Sequence, residues 1–181
     1  MDVAITMLAA TVDDYVSGAP FVLAGYSTGG LLAHALAQRL ESTGVFPQAV
    51  VLLDAYPPDH LAAIPSGLLE GMIARADEHL PLTDTRLTAM GGYLAMLAGW
   101  RPEPVSAPTL LARATQPLPG YPAEVSRQCT WDFEHTIAEV PGDHFTLLED
   151  QASATARIVG DWLLSAVRAS AAQFNRLSWR S

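Results

Sequence analysis

Two short runs, Phe21 to Ala24 and Ala49 to Leu53, contain only apolar side chains. The first is bounded upstream by Gly18-Ala19-Pro20, and the second is closed by Asp54-Ala55-Tyr56-Pro57-Pro58. Unbroken apolar character between turn residues is the pattern of a strand buried on both faces. Pro108 to Arg113 and Thr136 to Val140 predict two further strands, each with turn residues near its ends. Elsewhere the apolar spacing is helical. Residues 2–17 place Ile5, Leu8, Val12, Tyr15 and Val16 on a helix that Gly18 ends, and Leu31 to Leu40 predicts a second helix. Residues 149–168 predict a closing helix with Ile158, Val159, Trp162, Leu163, Ala166 and Val167 on one stripe. Strands alternating with helices predict an α/β fold with a mainly parallel sheet. We expect one domain over residues 1–170 and a flexible tail over 171–181, where Phe174 and Trp179 dock weakly or belong to a linker.

Between the second and third strands lies an insertion of about fifty residues, Pro57 to Ser106, far longer than an ordinary connection in an α/β unit. That length predicts a helical lid over residues 57–106. Its first helix is expected around Leu68, Leu69, Met72 and Ile73. The second, Thr85 to Ala98, carries Leu87, Met90, Leu94 and Leu97 on one face, while Tyr93, Met96 and Trp100 form another apolar stripe. A helix apolar on two sides has two things to cover. One is the sheet domain with the first lid helix; the other is a passage for an apolar substrate.

Composition narrows the function classes. The chain has 181 residues, half of them hydrophobic, enough for a substantial core in a single domain. Acidic residues outnumber basic ones by 19 to 10, which disfavours nucleic acid and anionic membrane surfaces as partners. Every basic residue is Arg, so a phosphate-loop lysine and a Schiff-base lysine are both excluded. The single cysteine, Cys129, has no internal disulfide partner and reads as a small apolar filler. No apolar run reaches the length of a membrane span. Met1-Asp2 lacks the positive start of a signal peptide, and we expect a soluble, cytoplasmic protein.

The first apolar run passes through Gly25-Tyr26-Ser27-Thr28-Gly29-Gly30 straight into the second helix. Gly-x-Ser-x-Gly alone is a weak signal in a chain rich in Gly, Ala and Ser. A strand before it and a helix after it make it a nucleophile turn, with Ser27 lifted above the sheet edge at a helix amino end. There the helix dipole and free N–H groups favour an oxyanion, and the Thr28 N–H is one expected donor. In an α/β-hydrolase the acid and then the histidine follow the serine along the chain. His34 lies on the helix directly after Ser27, His60 and His79 fall in the lid, and His135 precedes the last strand. His144, in Pro141-Gly142-Asp143-His144-Phe145, is the histidine in a turn after the last strand and can hang over the nucleophile. The third strand ends Arg113-Ala114-Thr115-Gln116 without a carboxylate, whereas Asp54 closes the second, so elimination assigns Asp54 as the acid. Asp143 is expected to cap its own loop.

With these residues in place the chain resembles a known family, the chain-terminating thioesterase domain of modular type I polyketide synthases of the macrolide-forming kind. The likeness rests on the Ser27-to-Asp54 and Ser27-to-His144 intervals and on several further stretches. These are Leu52 to Pro58, Asp84 to Ala89, Trp100-Arg101-Pro102, Phe133-Glu134-His135 and Pro141 to Phe145. The resemblance implies an α/β-hydrolase fold and a cytoplasmic enzyme with no cofactor of its own. Ser27 would accept a finished polyketide from the phosphopantetheine arm of an acyl carrier protein domain, upstream in the same polypeptide. A hydroxyl of the chain, or water, would then release it as a macrolactone or an acid. The resemblance also implies that Tyr26, Tyr56, Tyr93, Leu97 and Trp100 face the substrate.

One departure is large. Members of that family have roughly a hundred further residues before the nucleophile strand, as hydrolase domains of ordinary size do. Those residues would supply flanking strands, a second oxyanion donor and the amino-terminal helices through which two copies pair. We therefore expect this chain to be a fragment, a misassigned start or one piece of a cut domain, with the Ser27 strand left as an apolar edge prone to aggregation. Homodimer formation through those helices is not carried over. The competing expectations are a free-standing editing thioesterase or general esterase, and an inactive remnant.

Overall fold

The computed structural model describes residues 2–58, 66–76, 83–97, 99–117 and 130–178. His60, His79, Cys129 and Trp179 lie outside the described residues. Four parallel strands form one sheet in chain order: β1 (Val22–Tyr26), β2 (Ala49–Leu53), β3 (Thr109–Ala114) and β4 (Thr136–Val140). Around it run α1 (Asp2–Val16), α2 (Thr28–Ser42), α3 (Ser66–Arg75), α4 (Asp84–Leu97) and α5 (Ala152–Ser178), with a 3₁₀ turn at Thr146–Leu148.

When strand order follows chain order, right-handed crossovers put successive connections on the same face of the sheet. That face carries Leu31 and Ala37 of α2, Leu97 of α4 and Trp131, packed on Val50, Leu52 and Leu111. The opposite face is left to the chain after β4. There Ile158, Val159, Trp162 and Leu163 of α5 cover Val51, Leu110, Ala112 and Val140. Neighbouring residues of β2 point to opposite faces, as the period of two requires, and both faces are apolar because both are covered.

Register brings the functional loops together. Tyr26 pairs with Leu53, Leu53 with Ala112, and Ala114 with Val140, so the strands finish near one level. The chain stays paired just past those ends: the Ser27 N–H donates to the Leu53 carbonyl (3.0 Å) and the Asp54 N–H to that of Ala112 (2.8 Å). Residues leaving β1, β2 and β4 are therefore held at the same sheet edge.

Two expectations are corrected. In α1 the buried residues are Ile5 and Ala9, one turn apart and packed toward α2, whereas Leu8 and Tyr15 are exposed. Ile5, with half-buried Val12 and Val16, lies on the expected face, and Ala9 takes the inward place expected of Leu8. The closing helix also does not stop near residue 168; α5 continues through Phe174 to Ser178, in the stretch expected to be a loose tail. Among the described residues β1 is an edge strand with Val22 exposed, and no helix is long and apolar enough to cross a membrane.

Candidate active site

Ser27 sits between β1 and α2 with φ 54° and ψ −127°, a left-handed conformation unusual for a residue with a side chain. Such backbone costs on the order of 1–3 kcal/mol and persists only where its surroundings enforce it. The enforcing contacts are close. A Cβ at Gly25 would overlap the Gly29 carbonyl and the Gly30 nitrogen, and one at Gly30 would overlap Ala55. A Cβ at Gly29, by contrast, would meet nothing within 4 Å. Ser27 holds the N-cap position of α2, where serine ordinarily bonds the first free amides, yet its side chain makes no capping bond. The hydroxyl is turned out of the role that local helix chemistry would give it. Thr28 opens α2, so its N–H is one of the first-turn amides a helix leaves unpaired.

Asp54 and His144 meet directly. The His144 Nδ1–H donates to Asp54 Oδ2 at 2.7 Å, so in the neutral ring Nε2 is the nitrogen with the free lone pair. Both side chains are almost fully buried, at 2% and 3% exposure. A carboxylate so buried needs its oxygens satisfied. Asp54 Oδ1 accepts the Ala114 N–H (2.9 Å), and Oδ2 also accepts the Tyr56 hydroxyl (3.2 Å). The end of β3, which lacks an acid of its own, thus contributes a backbone donor that fixes the acid of β2. Asp54 has φ 42°, a left-handed turn that short polar side chains tolerate, and it follows the last ladder residue of its strand.

The loop carrying His144 is built by Asp143. Its Oδ1 accepts the N–H groups of Phe145 and Thr146 (2.9 Å each) and the Thr146 hydroxyl (3.0 Å). Burial pushes the Asp143 carboxyl up, but the donors from Thr146 and Phe145 outweigh it and hold it below the ordinary carboxylate range. Asp143 therefore shapes the turn while Asp54 holds the imidazole.

A family model described as Thioesterase domain matches residues 2–163. The chain belongs to the thioesterase-domain family. It is 45% identical over 151 residues to polyketide synthase GfsE of Streptomyces halstedii, covering 82% of this chain and 4% of that protein. Against erythronolide synthase EryA3 of Saccharopolyspora erythraea it is 45% identical over 145 residues, covering 80% of this chain and again 4% of the relative. The chain therefore spans only a small part of these curated relatives. Among solved structures, the NocB thioesterase domain from the nocardicin cluster superposes with a TM-score of 0.67 at 21% identity, over 87% of this chain and 71% of that one. Human thioesterase 2 gives 0.62 at 16% identity, over 92% and 81%. These likenesses carry the fold, that of an α/β-hydrolase.

Within this thioesterase domain the residues expected to face substrate separate into two groups. Tyr26 and Tyr56 stand beside the imidazole: Tyr26 stacks on His144 with ring centroids 4.7 Å apart, and Tyr56 lies tilted at 6.1 Å. Leu97 and Trp100 are elsewhere. Leu97 is 1% exposed in the core under α2, and Trp100 packs against that same core, edge-on to His34 at 5.9 Å. The expectation that Leu97 lines a passage is corrected: the carboxyl end of α4 is an anchor, because its apolar face meets the sheet domain. Tyr93, about one turn before Leu97, is exposed.

Several residues of the thioesterase domain escaped sequence reasoning. His34 is completely buried, stacked on Phe133 at 4.5 Å and flanked by Trp131 at 5.3 Å. Its Nε2–H donates to the Glu103 carbonyl at 2.9 Å, while Nδ1 has no partner among the described residues. Burial lowers its pKa to about 4, against small opposing effects of the Glu103 bond and Glu41. Gly71 and Arg75 of α3 form the other unanticipated contact. The Arg75 guanidinium lies 4.3 Å over the Phe145 ring and its Nε–H reaches Glu149 at 2.7 Å, while a Cβ at Gly71 would overlap that ring. The only sequence signal was Phe145, a large apolar residue in a polar turn. Among the described residues no group of three His, Cys, Asp or Glu side chains forms a metal site.

Proposed function

We propose that this chain is an acyl-releasing thioesterase domain of polyketide assembly, working through a seryl ester. The observation that carries the reading is the buried Asp54–His144 pair at the sheet edge that also presents the strained, uncapped Ser27. His144 Nε2 takes the Ser27 proton as Oγ attacks the thioester carbonyl carbon, and Asp54 stabilises the imidazolium. The Thr28 N–H meets the developing oxyanion. As the C–S bond breaks, His144 returns the proton to the departing thiol. In the second half a hydroxyl of the acyl chain, or water, gives its proton to His144 and attacks the ester, and Ser27 leaves with that proton. Identity to regions of polyketide synthases supports an acyl chain of that class, delivered on the phosphopantetheine arm of an upstream carrier domain in the cytoplasm. The chemistry calls for no further cofactor.

The test is intact-mass detection of fluorophosphonate labelling on the 181-residue chain, together with hydrolysis of an acyl N-acetylcysteamine thioester. One adduct is expected, located on Ser27, and both Ser27→Ala and His144→Ala should abolish it. Asp54→Asn should slow turnover by three to four orders of magnitude, roughly the loss seen when such an acid is neutralised. A folded chain, by circular dichroism, that labels nowhere or labels independently of His144 would overturn the proposal.

A further inference from the structure

Ser27 and His144 follow the first and last strands of the sheet, at the same carboxyl-end edge. The histidine hangs from β4 and the serine from β1, three strand spacings away, about 14 Å. The loop after β4 must reach back across the ends of β3 and β2 before its imidazole can serve the nucleophile. Asp54 holds the imidazole edge from β2, partway along that reach. The loop backbone is tied at Gly142, whose carbonyl accepts the Gln116 N–H (2.9 Å), and Phe145 packs on α3, so the His144 carbonyl is the far end of the reach.

The far end is held by Tyr26. This residue closes β1 immediately before Ser27, and its side chain lies on the α5 face of the sheet with Leu53 and Ala138. From there its hydroxyl donates to the His144 backbone carbonyl at 2.6 Å, and its ring stacks on the imidazole with planes 28° apart. We propose that Tyr26 is a positioning residue, the strut that fixes the height and tilt of His144 over the Ser27 turn. Two contacts on different parts of one histidine define both translation and tilt, which the Asp54 bond alone does not. Burial, and then the nearby Asp54 charge, push the phenol well above its usual range, so the hydroxyl keeps the proton it donates. The hydroxyl is committed to the loop rather than free for substrate, which revises the substrate-facing role expected of Tyr26. Stacking also places a π face against the ring that becomes cationic during acyl transfer, a favourable arrangement.

This inference rests on the proposed roles of Ser27 and His144, so its test has an arm independent of turnover. Tyr26→Phe, which keeps the ring and deletes the donor, and Tyr26→Leu, which removes both contacts, are compared with the parent chain. The readouts are hydrolysis of an acyl N-acetylcysteamine thioester and the far-downfield proton resonance of the His144 Nδ1–H bonded to Asp54. Tyr26→Phe should lower kcat by roughly tenfold at unchanged KM, the loss of one hydrogen bond, with the resonance retained. Tyr26→Leu should lower kcat further and erase the resonance. A raised KM with unchanged kcat, or a resonance that survives in Tyr26→Leu, would overturn the proposal. If Tyr26→Leu does not fold, the Phe variant decides by the same split between kcat and KM. If the parent shows no turnover dependent on Ser27, the functional reading fails while loss of the resonance in Tyr26→Leu still establishes the strut.

Discussion

Ser27 itself, rather than either glycine of its motif, carries the left-handed backbone of the turn. The glycines act by absence of bulk, and unequally: Gly25 and Gly30 sit where a methyl group would strike neighbouring atoms, whereas Gly29 has open space. A test follows at this scale. Gly25→Ala must open the turn, and a misplacement of about 1 Å at a reacting group can cost a hundredfold, so its rate of fluorophosphonate labelling should fall by about that factor. Gly29→Ala should label within a few-fold of the parent. Equal loss in the two variants would mean that the motif acts through flexibility and not through close packing. The same reasoning shows what residue types reveal. Gly-x-Ser-x-Gly announces a tight turn; the turn's own backbone requires Gly25, whereas Gly30, just past the motif, is required by Ala55 from a different strand end.

At the scale of elements, the described helices of the insertion between β2 and β3 are attached at two places of different character. The carboxyl end of α4 is buried in the core through Leu97, with Trp100 packed beside it. Helix α3 instead rests on the histidine loop, through Gly71 against Phe145 and through Arg75, which covers that ring and reaches Glu149. Both partners of this ion pair are about a third exposed (32% and 35%), and exposed pairs contribute about 0–1 kcal/mol. The close packing of Gly71 on Phe145 should therefore matter more than the charge pair. Gly71→Val is expected to lift α3 and raise the rate of limited proteolysis within the insertion between β2 and β3 several-fold, while Arg75→Gln changes it little. The reverse ranking would show that electrostatics holds α3 in place. Helix α1 teaches a related lesson, since its apolar spacing announced a helix but the presence of α2 selected Ile5 and Ala9 for burial.

For the whole molecule, the buried histidine that takes no part in the proposed chemistry contributes to the response to acid. His34 has a pKa of about 4 in the fold and the ordinary value of 6.5 when unfolded. Between those values the unfolded chain binds a proton that the folded one refuses. Stability is therefore unaffected by His34 above pH 6.5 and falls as the pH drops toward 4, by on the order of 3 kcal/mol if the whole shift is realised. His34→Gln keeps a donor for the Glu103 carbonyl and removes the titration. Urea midpoints measured across this range should decline less steeply in that variant than in the parent, and parallel declines would assign the acid sensitivity to carboxylates instead. Because His34 joins α2 to the segment after α4 through Glu103, and to the segment before β4 through Trp131 and Phe133, acid is expected to loosen these two segments before the sheet.

Periodicity and chain order by themselves determined the four strands, their parallel arrangement and the helices around them, because burial on two faces leaves a local pattern in the residues that undergo it. They also singled out Ser27, Asp54 and His144 as candidates, since a Gly-x-Ser-x-Gly turn, an acid closing a strand and a histidine in the last loop are each visible within a few neighbouring residues. Relations between distant residues left no such pattern. The hold of Tyr26 on His144, the donation from Ala114 to Asp54 and the seat of Phe145 against Gly71 join segments far apart in the chain. Sheet register, the order of the strands and the handedness of the crossovers decided those contacts, and they are settled only when the whole core packs.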